Sequence, residues 1–199
     1  MIKLYHAPLT RSIRIYWLLE ELGVPYELSI VKFVPGKLPF AQDTPYGKVP
    51  AIEDGDVVMI ESGAILEYIL ERYGQGRLAP APGTAARPAF LQWVYFSEAT
   101  VLPPVGDIVR HTLFKPEPER IPAVVEDARR RLGATFAVVE KALEGKPYLL
   151  GADFSAADIM MGVTLHIARR LNSLDDRLKN LHAYLGRLES RPAFRKALS

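Results

Sequence analysis

The sequence predicts an α/β domain over residues 1–77, a linker over 78–88 and an all-helical domain over 89–199. Three observations carry that prediction. The first third alternates short β-type runs with helical periodicity, which is the pattern of helices covering a mixed sheet. Leu78 to Pro88 then holds three prolines, a glycine and several alanines, the composition of a linker. Beyond Arg87 the apolar spacing is helical throughout.

Ile2 to Tyr5 reads as the first strand. After a turn containing Pro8, Ile15, Leu18, Leu19 and Leu22 recur at i, i+3, i+4 and i+7, so a helix follows. Gly23 and Pro25 stop it in the expected order. Tyr26 to Val31 is a second strand, and Val34 to Gly47 is expected to be irregular with one helical turn. Pro50–Glu53 and Val57–Ile60 flank Asp54-Gly55, a strong hairpin signal. A helix over Ser62–Tyr73 should bury Ile65, Leu66, Ile69, Leu70 and Tyr73. In the second domain, long helices are expected from Pro88 to about Leu113 and from Glu117 to about Leu143. Pro103-Pro104 should kink or break the first of them.

Composition removes whole classes of function. The 199 residues are 49% hydrophobic and 24% charged, which is ordinary for a globular chain, and no run approaches the ~20 apolar residues of a membrane span. A net charge of +2 is too small to imply nucleic acid, and the Arg129–Arg131 run reads as a solvated helix face. Met1-Ile2-Lys3-Leu4-Tyr5 enters a strand pattern without a signal-peptide layout, so the cytoplasm is the expected compartment. Cysteine is absent, which removes disulfides, cysteine nucleophiles and thiolate metal sites together. His6, His111, His166 and His182 show no metal-ligand spacing, and no glycine-rich phosphate loop occurs. His166 reads as a core or pocket residue. Trp17, Trp93 and Tyr95-Phe96 sit at helical spacings and read as core or interface.

Three short motifs remain. Lys48-Val49-Pro50 opens a strand, and a cis Val49–Pro50 bond would turn the Val49 backbone towards a ligand that pairs with it like an added strand. Glu61-Ser62 opens a helix, with Ser62 suited to the N-cap, amides for an anion and Glu61 for an ammonium group. Either motif alone is a plain turn or a plain cap; together, bracketing Asp54-Gly55, they favour a receptor for the α-amino acid end of a ligand. The turn Ala7-Pro8-Leu9-Thr10-Arg11-Ser12 puts hydroxyls at a helix start, where the dipole favours negative charge, although Thr10 or Ser12 could simply cap that helix. Ser155 and Asp158 have capping-box spacing, with Phe154 and Ile159 placed for a hydrophobic staple. This last motif is read as a folding signal worth about 1 kcal/mol.

The chain resembles the cytosolic glutathione transferase family from Leu4-Tyr5 to Arg191-Pro192-Ala193-Phe194. The resemblance rests on Thr10-Arg11-Ser12-Ile13-Arg14, Trp17 to Leu22, Gly47-Lys48-Val49-Pro50-Ala51-Ile52, Glu61-Ser62-Gly63-Ala64-Ile65 and Phe154 to Ile159. It is similar to theta-like and fungal-type members that activate the thiol with a hydroxyl. The resemblance implies a thioredoxin-like first domain that binds glutathione as co-substrate, no tightly bound cofactor, and an apolar electrophile pocket against the second domain. Glu61 and Ser62 would hold the γ-glutamyl end, Val49-Pro50 the cysteinyl part, and Lys48 with Lys37 the glycyl carboxylate. Thr10 aligns with the activating serine, although threonine is unusual there; Ser12 and then Tyr5 are the competitors. Leu9, Val34, Leu102, Val105 and His111 would line the pocket. A homodimer is implied, with contacts sought over Trp93–Glu98 and Glu98 near the partner's ligand.

The expected chemistry is thiolate formation and conjugation to a hydrophobic electrophile. A thiol of pKa ~8.5 needs ~2.7 kcal/mol of preferential stabilisation to fall by about two units. A hydroxyl hydrogen bond to the anion supplies ~1.5–3 kcal/mol. Peroxide or disulfide reduction on the same site is the alternative enzymatic reading. A non-catalytic ligand carrier is the alternative of another class.

Overall fold

The computed structural model describes residues 1–32 and 44–199. The chain forms two compact units, Met1–Pro82 with Glu189–Ser199, and Gly83–Leu188. The helical domain expected over 89–199 stops short of the C-terminus, because residues 189–199 group with the first unit.

In the first unit, β1 (Ile2–His6) is followed by α1 (Ser12–Leu22) and β2 (Tyr26–Ile30). The crossover through α1 makes β1 and β2 parallel. Ile13, Ile15, Trp17, Leu18, Leu19 and Leu22 bury the inner face of α1, which Gly23 ends in the left-handed conformation at φ 64°. The expected hairpin forms from β3 (Ala51–Asp54) and β4 (Val57–Ile60), so the sheet order is β2-β1-β3-β4, with β1 antiparallel to β3. Next, α2 (Ser62–Tyr73) buries Ile65, Leu66, Ile69 and Leu70; Tyr73 is half-buried because its hydroxyl donates to Asp54 Oδ2 at 2.5 Å.

A helix near the C-terminus closes this unit. This helix, α8 (Pro192–Leu198), buries Phe194, which meets Trp17 edge to face at 4.6 Å between ring centroids. Arg191 grips both carboxylate oxygens of Glu21 at 2.6 and 2.7 Å, and Lys196 pairs with Glu20 at 2.8 Å. These contacts hold α8 against α1.

The second unit is helical, comprising α3 (Arg87–Tyr95), α4 (Leu102–Val109), α5 (Pro122–Ala142), α6 (Ala156–Arg170) and α7 (Lys179–Glu189), whose last residue groups with the first unit. At Pro103-Pro104, expected to kink or break the first long helix, the chain does not break: it widens to a π-helix over Phe96–Val101, where Leu102 N–H bonds to Ser97 O. This i→i−5 register precedes two residues that have no N–H and whose rings would clash in an ordinary turn. A second π-helical stretch covers Arg110–Phe114. The next long helix starts at Pro122, not Glu117: Glu117–Glu119 is one 3-10 turn, and Ile121 is extended ahead of a proline at the first helical position.

The capping box at 155–158 is present and does more than cap. The Asp158 carboxylate, fully buried, accepts from Ser155 N and Oγ (2.8 and 2.9 Å), Leu149 N (2.9 Å) and Tyr184 Oη (2.8 Å). It therefore ties α6 to the 149 loop and to α7. Phe154 meets Tyr148 edge to face. Trp93 is buried against the Phe96 ring, while Tyr95 is 60% exposed. Among the described residues no helix is long and apolar enough to cross a membrane.

Candidate functional site

The turn between β1 and α1 concentrates polar groups in a small space. Leu9 stands at φ 60°, a left-handed conformation that a leucine adopts only where its surroundings impose it. It leads into Thr10, which is half-buried, and Ser12, which is fully buried at the start of α1. Neither hydroxyl caps α1 in the expected way. Thr10 Oγ1 lies 2.7 Å from Ala7 O and 2.7 Å from Ser12 Oγ, and accepts from Ser12 N–H at 3.3 Å. Ser12 Oγ accepts from Ala7 N–H at 3.1 Å and lies 2.8 Å from His6 Nδ1. Burial pushes the His6 imidazole down to about 4, so the ring is neutral at physiological pH.

Of the three candidate hydroxyls, only Thr10 is both at the helix start and partly exposed. Ser12 is enclosed and supports Thr10 from behind. Tyr5 is buried, and its hydroxyl donates to Glu53 Oε1 at 2.6 Å, with that bond and burial raising its pKa. Its proton is committed to β3.

The second turn lies before α2. Glu61, not Ser62, is the N-cap, at φ 69° and ψ 108°, another strained backbone for a residue with a side chain. Ser62 is the first helical residue and is buried. Its Oγ accepts from Arg14 Nη1 at 2.9 Å, so its own proton is left to point elsewhere. Arg14 is fully buried. Glu61 is half-exposed and stands 4.0 Å from Arg11. These two links, Arg11 to Glu61 and Arg14 to Ser62, join the start of α1 to the start of α2. A carboxylate, a hydroxyl, a helix N-terminus and two guanidinium groups thus meet, which suits a zwitterionic amino acid end.

The third turn carries the expected Val49–Pro50 bond in the cis form, with both residues buried and Lys48 exposed beside them. It follows the 3-10 turn Pro45–Gly47, where Tyr46 also has a positive φ of 58°. Lys37 and Val34 lie outside the described residues. In the first unit Leu9 is 56% exposed. In the second unit Leu102 is half-buried, Val105 is buried, and His111 is buried with Nδ1 accepting from Ile121 N–H at 3.0 Å, which puts the ring proton on Nε2.

Neither His6 nor Arg14 has a site role legible in the motifs that name them. For Arg14 a signal existed: position 14 falls on the stripe of Leu18 and Leu22, so a guanidinium there is turned inward and needs a partner. For His6 none did, because its partner depends on how the 7–12 turn folds back.

The family model described as "Glutathione S-transferase, N-terminal domain" matches residues 1–71, and "Glutathione S-transferase, C-terminal domain" matches 122–187. The chain is 30% identical to "Glutathione S-transferase 3" of Schizosaccharomyces pombe, over 99% of this chain and 86% of that protein. It is 32% identical to "Disulfide-bond oxidoreductase YfcG" of Escherichia coli, over 100% of this chain and 94% of that one. Among solved structures, a glutathione transferase homolog from Lodderomyces elongisporus, crystallised with two GSH per subunit, superposes with a TM-score of 0.88. It is 25% identical and covers 99% of this chain and 97% of that one.

Proposed function

The chain belongs to the glutathione S-transferase family, and from that premise we propose that it ionises the glutathione thiol and joins the sulfur to a hydrophobic electrophile. One observation carries this reading: the half-exposed Thr10 hydroxyl and the Glu61–Ser62 turn are held in one unit by Arg14 and Arg11, at 2.9 and 4.0 Å. In this reading Glu61 takes the ammonium group of glutathione, while Ser62 and the α2 N-terminus take the adjoining carboxylate. The Val49 backbone pairs with the cysteinyl part, and Lys48 meets the glycyl carboxylate.

Thr10 then donates to the sulfur and does not become a nucleophile itself. The thiol proton leaves to solvent, the thiolate forms a bond to the electrophilic carbon, and a leaving group such as halide departs. A homodimer with Trp93–Glu98 in its interface and a cytoplasmic location belong to the same reading.

Thr10→Val tests it. The pKa of bound glutathione should rise by about one to two units, because a hydrogen bond to the anion is lost. Affinity, measured by calorimetry, should hardly change. An unaltered thiol pKa would remove Thr10 from the role.

The relative named as a disulfide-bond oxidoreductase supports a second reading, glutathione-dependent reduction of a disulfide or hydroperoxide on the same thiolate. With no cysteine in the chain, both sulfurs of any mixed disulfide would come from glutathione and the substrate. Turnover of a hydroperoxide against an aryl halide separates the two.

A further inference from the structure

The hydroxyls at the start of α1 form a chain whose direction is not symmetric in its consequences. Ser12 Oγ sits between His6 Nδ1 at 2.8 Å and Thr10 Oγ1 at 2.7 Å, and it also receives Ala7 N–H at 3.1 Å. Each hydroxyl has one proton and two lone pairs. If Nδ1 carries no proton, Ser12 donates to it, and Thr10 must point its own proton into Ser12. No proton then faces a ligand. If Nδ1 carries the proton, Ser12 accepts from His6 and from Ala7, both lone pairs are filled, and its proton goes to Thr10 at 2.7 Å, a nearer acceptor than Ala7 O at 3.1 Å. The Thr10 proton is then directed at Ala7 O, 2.7 Å away, or outward.

We propose that His6 and Ser12 are positioning residues: His6, protonated on Nδ1, donates to Ser12, Ser12 donates to Thr10, and Thr10 is thereby left to donate to the glutathione sulfur. The inference rests on Thr10 as the thiol-activating hydroxyl. Arrival of the thiolate turns the Thr10 proton from Ala7 O to sulfur.

The ring is placed for this role. His6 is 4% exposed at the end of β1, its carbonyl accepts Val31 N–H at 2.7 Å, and Tyr16 packs edge-on against the imidazole at 5.4 Å. It cannot swing away from Ser12 without opening the core. Because burial keeps it neutral at physiological pH, it holds a single ring proton, so the tautomer is a two-way choice that the thiolate biases.

The test follows the absorbance of enzyme-bound thiolate against pH in wild type, Thr10→Val, Ser12→Ala, His6→Phe and His6→Asn. The asparagine amide N–H replaces Nδ1–H as a donor; phenylalanine does not. Ser12→Ala and His6→Phe each remove a donor that polarises the Thr10 O–H, and should raise the bound thiol pKa by about half a unit, a roughly threefold loss of thiolate at a fixed lower pH, with glutathione affinity retained. His6→Asn should restore the wild-type value. If Thr10→Val raises the pKa while His6→Phe and Ser12→Ala do not, the relay is wrong and the role of Thr10 stands. An unchanged pKa in Thr10→Val overturns both. A His6→Asn value as high as that of His6→Phe overturns the donor role. Should the buried substitutions impair folding, nitrogen NMR of histidine-labelled wild type with glutathione decides: protonated Nδ1 supports the relay, protonated Nε2 overturns it.

Discussion

A residue's role in this site depends on which of its lone pairs and protons are already committed. Arg14 illustrates this. Its guanidinium occupies a lone pair of Ser62 Oγ from within the core, so it turns Ser62 into a donor and places positive charge beneath the α2 N-terminus. Arg14→Met should weaken glutathione binding about tenfold, equal to ~1.4 kcal/mol, without moving the bound thiol pKa. Calorimetry and thiolate absorbance together check that separation. A pKa shift equal to that of Thr10→Val would contradict it. His6 gives a second prediction, in stability. Its folded value of about 4 lies below the ordinary 6.5, so the unfolded chain binds the proton more tightly. Its contribution is complete above pH 6.5 and is lost as pH falls towards 4. Urea unfolding should show the wild type losing about 2 kcal/mol between pH 7 and pH 5 from this group, and His6→Asn losing less.

At the scale of the element, Asp158 and the two prolines of α4 show how far local rules reach. The spacing of Ser155 and Asp158 announces a helix start, and the start is there. What the spacing does not announce is that the same carboxylate also receives Leu149 N–H and Tyr184 O–H. Asp158→Ala should therefore cost at least about 3 kcal/mol, since several buried donors lose their acceptor. Ser155→Ala should cost only about 1 kcal/mol. Chemical denaturation of the two variants measures the difference, and equal losses would reduce the motif to a cap. Pro103-Pro104 make the converse point. As isolated residues they stop helices, yet here a π-helical widening over Phe96–Val101 carries the chain through.

At the scale of the whole molecule, the first unit is discontinuous in sequence: the chain leaves it at Pro82 and returns at Glu189. Phe194 and Trp17 are both fully buried in contact, and Arg191 clamps Glu21, so α1, which carries the candidate site, depends on the last residues of the chain. Phe194→Ala should destabilise this unit by about 3–5 kcal/mol, the usual range for removing a buried aromatic ring. Removing residues 189–199 should abolish glutathione binding and shift Trp17 emission to the red, with most helical circular dichroism retained. Undiminished binding by the shortened chain would show that α8 is dispensable.

The α/β-then-helical layout, the hairpin at Asp54-Gly55, the helix over 62–73 and the capping box are legible in the residues alone, because each is written in local periodicity or turn chemistry. Motif chemistry joins the turns around Val49 and Glu61 as one candidate site, and the family resemblance adds the turn around Thr10. Three-dimensional packing sets which hydroxyl faces outward. Ser12 and Thr10 are two residues apart and chemically alike, and only the packing of His6 and Ala7 behind the turn buries one and leaves the other accessible. It likewise decided that Glu61 caps α2 while Ser62 is held by Arg14, 48 positions away. Such pairings are long-range, and the free energy of burying a charge or a hydroxyl depends on partners that no local pattern specifies.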